Sequence, residues 1–203
     1  MTLSLRTNKA LYFMTAGDLV QLMGGHFFSV AIATHTYAMT GAAWAYALQM
    51  LVSFLPWMLF PGIAGPIVDR LDRRSVMVAA ALLRGLLGLM YPYFETIEPV
   101  LALNFVSSAC GVFLVTARTA LIPALAEKDA LLKVNGLRTA AFGCVDLVIP
   151  TLAGAVMGWM GTTAAFRLIS LCWILGAVSF RAIPARGRIA RPERPGETVT
   201  RRG

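Results

Sequence analysis

Long apolar runs separated by short polar and charged breaks make up most of this chain. Six runs stand out: Ala10 to Thr34, Ala42 to Phe60, Val76 to Phe94, Val100 to Ala117, Thr139 to Met160 and Ala164 to Phe180. Each comes close to the ~20 residues that a helix needs to cross a hydrocarbon core of roughly 30 Å. Backbone groups in lipid must be hydrogen-bonded within the protein, which leaves helix bundles or closed barrels, and runs this continuous are helices. The pattern therefore predicts an all-α integral membrane protein with six transmembrane helices. It divides the chain into a short N-terminal segment, 1–9, a bundle over 10–183 and a tail, 184–203. Ala31-Ile32-Ala33 has the small-x-small look of a signal cleavage site, but the run around it is too long and five more follow.

The most informative break is Gly65 to Ser75, GPIVDRLDRRS. Upstream, Gly41 to Phe60 holds no charge, and downstream Val76 to Phe94 holds only Arg84. A Gly/Pro pair followed by clustered charges between two such runs predicts a short loop, with Gly65 and Pro66 ending the second span. Lys and Arg alternate by loop. Arg6 and Lys9 precede the first span, Arg70, Arg73 and Arg74 separate the second from the third, and Arg118, Lys128, Lys133 and Arg138 separate the fourth from the fifth. Seven Arg, from Arg181 to Arg202, follow the sixth span, whereas the intervening loops hold no Lys or Arg. By the positive-inside rule both termini are expected in the cytoplasm of a multi-pass inner-membrane protein.

Composition adds one exclusion. With 58% apolar and 14% charged residues and a mean hydropathy of +0.70, the chain does not resemble a soluble domain. Its net charge of +8 falls at helix ends on one side, which insertion explains, so no nucleic-acid partner is expected. The Arg- and Pro-rich tail is expected to be disordered, a solvated segment that holds the terminus inside, with contact to anionic lipid headgroups as the alternative. Cys110, Cys144 and Cys172 lie within spans, where packing suits them better than disulfides. No metal-ligand spacing, phosphate loop or catalytic constellation is present, so neither a cofactor nor enzymatic activity is expected.

Ionisable residues inside the runs are the next candidates, because a charge near the bilayer centre costs at least ~2.5 kcal/mol and is normally paired or facing water. Asp18 lies on the first helix with Gly25 and Ser29 on its face and Gln21 and His26 close by, a polar stripe suited to lining a cavity. His26 reads as a hydrogen-bonded helix residue rather than a proton relay. Asp146 shares a face of the fifth helix with Thr139, Gly143 and Pro150, and Gly154 and Gly158 continue its small-residue spacing, which would admit a neighbouring helix. Arg84 is a candidate counter-ion for either carboxylate. Such a carboxylate, alternately buried and paired with a cation, could carry a proton.

The charged break resembles the signature between the second and third helices of major facilitator superfamily transporters, G-x-L-A-D-R-x-G-R-[KR]. Gly65, Asp69, Arg70, Arg73 and Arg74 fall on its fixed positions, while Asp72 replaces its second glycine. The form D-R-L-D-R-R is similar to that of the siderophore and macrolide exporter branch. Arg118 to Pro123, followed by Ala130 to Asn135, resembles that branch's loop between the fourth and fifth helices. Gly143, Pro150, Gly154 and Gly158 form a degenerate likeness of the superfamily's antiporter helix.

The resemblance implies one six-helix half of a secondary active transporter, with Asp69 and the arginines as a gating network. It also implies proton-coupled efflux of a small hydrophobic or siderophore-like molecule. A second six-helix half, from the same or another chain, is then the expected partner besides the bilayer and the substrate, since these transporters bind between two halves. The alternative reading is a six-helix membrane protein that binds or regulates a partner, or a remnant that does not transport.

Overall fold

The computed structural model describes residues 9–125 and 128–183, and all described secondary structure is helical. The segment before Lys9 and the basic tail 184–203 lie outside the described residues. Helix α1 is Lys9–Thr40, α2 Ala43–Leu59, α3 Pro61–Arg70, α4 Arg73–Met90, α5 Ile97–Leu125 and α6 Lys128–Arg181. A 3-10 turn, Tyr91–Tyr93, extends α4.

Helix ends follow from local chemistry. Gly41, at φ 65°, donates its N–H to the Tyr37 carbonyl at 2.8 Å and stops α1 with a left-handed cap. Pro61 has no N–H to continue α2 and is well suited to start α3, so the two helices meet at a 55° bend around Phe60. The expected loop from Gly65 to Ser75 is therefore mostly helical. Gly65 and Pro66 lie within α3, the second run breaks at Phe60 and Pro61, and only Leu71 and Asp72 separate α3 from α4.

Asp72 caps α4, accepting hydrogen bonds from the Ser75 N–H at 3.0 Å and the Ser75 hydroxyl at 2.6 Å. Its place in the motif thus has a structural use that glycine would not supply. Asp72→Ala is expected to lower stability by about 1 kcal/mol, whereas Asp72→Gly should cost only a few tenths. Thermal unfolding in detergent would show this as separated midpoints, and equal losses would refute the capping role.

Helix α6 turns back on itself. Gly161, at φ 76° and ψ 169°, leaves the helical region in a way that few other residues tolerate. Beyond it, Phe166 packs on His35, Trp173 on Gly24 and Phe180 on Gly17, so the second limb, 162–181, returns along α1. The first limb, 128–160, meets α1 through Asp146 and His26. Around the bundle, α1 packs on α6, α6 on α4, α4 on α5, α5 on α2, and α2 on α1.

Among the described residues, three helices are long and apolar enough to cross a membrane: Arg73–Tyr93, Ile97–Ile122 and Thr139–Arg181. The bent pair of α2 and α3 makes a fourth if taken as one span. The six expected spans differ from this for two reasons. Asp18, Gln21, His26 and His35 dilute the apolar character of α1, and the last two runs are joined through Gly161 without an intervening loop.

The interior has two apolar clusters. One gathers Leu11, Met14, Val68, Met77, Leu114 and Phe180. The other gathers Phe27, Ile32, Tyr91, Ile149, Phe166 and Trp173. Along α1, α4 and α5 the residues between these clusters are more polar, with Asp18 and Gln21 on α1, Arg84 on α4, and Asn104 and Ser107 on α5.

Packing is closest where glycines meet side chains. A Cβ on Gly17 would lie 2.6 Å from the Phe180 ring, one on Gly85 2.6 Å from Ile174, and one on Gly176 2.6 Å from Gln21. Small residues of this kind let membrane helices approach. The glycines expected to do so on the fifth run do not. A Cβ on Gly143, Gly154 or Gly158 would meet nothing within 4 Å in this bundle, and the helix continues through the half-buried Pro150.

Candidate functional site

The charged motif ties together three helix ends. Asp69 lies one turn before Arg73 in sequence, and Arg73 Nη2 donates to its carboxylate at 3.1 Å. Nη1 of the same guanidinium donates to the Ala120 carbonyl of α5 at 2.8 Å. Arg74 donates to the Arg181 carbonyl at the end of α6, where a cation also complements the helix dipole. The side chain of Asp69 is 66% exposed, so much of it is open to another partner. Arg70 is exposed, and Gly65 has open space where a side chain would stand.

Deeper in the bundle, Asp18 is fully buried and pairs with Arg118 Nη1 at 3.6 Å. Arg118, expected in a loop, lies within α5, which continues past it to Leu125. Its long side chain can reach the interior while its backbone stays near the helix end. Gln21, expected to line a cavity, is instead buried against α6, where Nε2 donates to the Trp173 carbonyl at 2.8 Å over Gly176. Asn104 ties α5 to α2, donating to the Ser53 hydroxyl at 2.6 Å and the Gln49 carbonyl at 3.1 Å.

The second carboxylate takes a different partner. With its proton on Nε2, His26 donates to Asp146 Oδ1 at 2.7 Å, joining α1 to the first limb of α6. Their side chains are 26% and 56% exposed, so the pair looks outward from the bundle. Gly25 and Gly143 beside it are open, and Ser29, also exposed, donates to the His26 carbonyl at 2.8 Å. Pro150, one turn on from Asp146, has no N–H to donate to the Asp146 carbonyl.

Arg84 is counter-ion to neither carboxylate. Its guanidinium lies 4.2 Å above the Trp173 ring, and the ion pairs of Asp18 and Asp146 are made by Arg118 and His26. Neither pairing is visible in the sequence, because each joins residues far apart in the chain. The available signal for Arg118 is an arginine directly after the expected end of an apolar run, at Ala117.

A charged staple at one end of a helical bundle, with ionisable pairs inside it, suits a membrane protein whose helices shift. Residues 14–202 match the Major Facilitator Superfamily. The chain belongs to that family.

Its relatives include macrolide efflux protein A of Streptococcus pyogenes, 28% identical over 147 residues that cover 70% of this chain and 36% of the relative. A bicyclomycin resistance protein homolog of Haemophilus influenzae is 30% identical over 128 residues, 63% of this chain and 32% of the relative. An uncharacterized transporter of the same superfamily from Sinorhizobium fredii is 32% identical over 123 residues, 60% and 29% respectively. The matched stretch thus spans about a third of each relative's length.

Family membership makes this a membrane protein of a transporter superfamily and accounts for the motif from Gly65 to Arg74. The motif's arginines are bound to carbonyls of α5 and α6, so the network joins neighbouring helices through their backbones as well as through Asp69.

Proposed function

We propose that this bundle forms one six-helix unit of a secondary active transporter that exports a small hydrophobic or siderophore-like molecule in exchange for protons. Its six spans are α1, the bent pair α2 and α3, α4, α5, and the two limbs of α6. At 1.5 Å per residue the stretch from Thr139 to Arg181 is ~65 Å long, about twice a hydrocarbon core, so the hairpin at Gly161 supplies two crossings rather than one. The basic ends face the cytoplasm. Relatives named for macrolide efflux and bicyclomycin resistance support the export reading.

The observation that carries the proposal is the exposed His26–Asp146 pair in the middle of a membrane-spanning surface. Lipid cannot solvate an ionisable carboxylate, so this face needs a water-lined pathway or another protein surface. A second six-helix unit, from the same or another chain, would provide both, because transporters of this type bind substrate between two units. The open stripe of Gly143, Gly154 and Gly158 lies on the same limb and would admit its helices closely. Subunit stoichiometry, by mass spectrometry of protein released from nanodiscs, tests this arrangement. A dimer or a defined heteromer is expected, and a strict monomer would rule out the central pathway for this chain.

In this reading Asp69 closes the cytoplasmic side, using its exposed oxygens to bind a helix end of the second unit. Asp69→Asn is expected to reduce export several-fold at matched membrane levels, since Arg73 keeps its bond to Ala120 and the bundle end stays intact. Dye efflux from cells expressing the full transporter measures this. Wild-type rates in the variant would remove the gating role.

A further inference from the structure

Arg84 is an interior cation that, among the described residues, makes no ion pair and has no part in the function proposed above. It sits twelfth in α4, ~16 Å from the charged end of that helix, in the polar layer between the two apolar clusters. Among the described residues the ion pairs are His26 with Asp146, Arg73 with Asp69 and Arg118 with Asp18, and none includes Arg84. Its Nε is enclosed and without a hydrogen-bond partner, as is Nε1 of the Trp173 indole beneath it. The polar groups close enough to act on its charge, Tyr91 and Cys110, are both ordinarily neutral.

A guanidinium at this depth has the cost of a buried charge without a protein carboxylate to offset it. Its surroundings are aromatic, and the residue is half-buried rather than sealed in. Gly111 of α5 presents no side chain, and a Cβ there would lie 3.7 Å from the Trp57 ring of α2 and 4.0 Å from Arg84 Nη1. Trp173 thus lies against the face of the guanidinium, while Trp57, across the Gly111 position from Nη1, is itself exposed.

We propose that Arg84 is a ligand-recognition residue that binds the carboxylate of a small aromatic or hydrophobic acid, whose apolar body rests against Trp57. A single planar fork of N–H donors matches one carboxylate in a two-bond geometry, and a low-dielectric site strengthens that match. Neutral relatives of such an acid would leave the guanidinium unpaired and bind poorly. The inference deepens the proposed function by giving its substrate a charge. It requires only that small molecules reach the bundle interior, so it is measured by binding without transport.

The test uses the full chain in nanodiscs, with tryptophan emission and thermal unfolding as readouts. Benzoate, its uncharged twin benzamide, and chloride are titrated separately at equal ionic strength. Benzoate is expected to give a saturable emission change and a raised midpoint, with benzamide at least ~10-fold weaker, as expected for losing a charge-assisted hydrogen bond. Arg84→Gln should weaken benzoate by a similar factor and leave benzamide unchanged. Arg84→Lys, which keeps the charge without the fork, should bind benzoate more weakly than wild type but still prefer it to benzamide. This variant also serves if Arg84→Gln does not fold. Equal responses to benzoate and benzamide, or unaltered benzoate binding in Arg84→Gln, would overturn the assignment. A chloride response as large as that to benzoate would replace the carboxylate ligand with an inorganic anion and overturn it as well.

Discussion

Asp146→Asn is expected to reduce proton-driven export to the rate seen without a pH gradient, while leaving the bundle folded. The amide oxygen can still accept the His26 Nε2 proton at the position now held by Oδ1, so the link between α1 and the first limb of α6 survives. What is lost is a group that can bind and release a proton. In the proposed exchange the carboxylate would be reached from the side on which it is more than half exposed, while His26 holds it from the other. Proteoliposomes containing the complete transporter, assayed with and without an imposed gradient, separate coupling from passive flux. If the variant keeps wild-type gradient dependence, the coupling role moves to Asp18, whose burial against Arg118 makes it the second intramembrane carboxylate.

The largest effect on stability is expected at Gly85. A valine there would place its Cβ 2.6 Å from Ile174 Cγ1 and 3.2 Å from the Ser170 carbonyl oxygen. The second contact is with backbone, so a rotamer change of Ile174 alone would not relieve it, and α4 would have to separate from the second limb of α6. Overpacking of this kind typically costs about 1–3 kcal/mol. Helices in lipid lack a hydrophobic drive to associate, so close packing carries more of the burden. Gly154→Val is the control. A side chain there would meet nothing within 4 Å in this bundle, so in detergent that separates the bundles, with no second unit against this stripe, its unfolding midpoint should match the wild type. Equal midpoints for both variants would show that the glycine contacts do not hold α4 to α6.

The two glycines also show what was legible in the sequence. Apolar runs gave the helices because membrane crossing depends on length and hydropathy, which are properties of a single segment. The motif from Gly65 to Arg74 pointed to the family because its charges are contiguous. Packing partners were not legible in this way. Gly85 lies in tight contact and Gly154 in open space, yet each sits in a run of Leu, Ala and Val, and only the arrangement of the other helices distinguishes them. The same holds for His26 and Asp146, which are 120 residues apart, and for Asp18 and Arg118.

Boundaries failed for a related reason. Charge at Asp69 and Arg70 suggested a loop, but a helix end exposed beyond the apolar layer tolerates charge without unwinding, and α3 continues through both. Asp72 then ends the turn by capping α4. Its substitution for the motif's glycine was visible in the sequence, whereas its use became clear only with Ser75 beside it.

Gly161 has a consequence for how the protein is made. A single residue separates the limbs of α6, so almost no hydrophilic chain lies at the tip of this hairpin for the cell to carry across the bilayer. In the six-span arrangement the two limbs would leave the insertion machinery together, as one apolar hairpin whose direction is set by the arginines at its base. A bulky or charged residue at the tip would therefore act first on biogenesis, before any mature protein existed to lose activity.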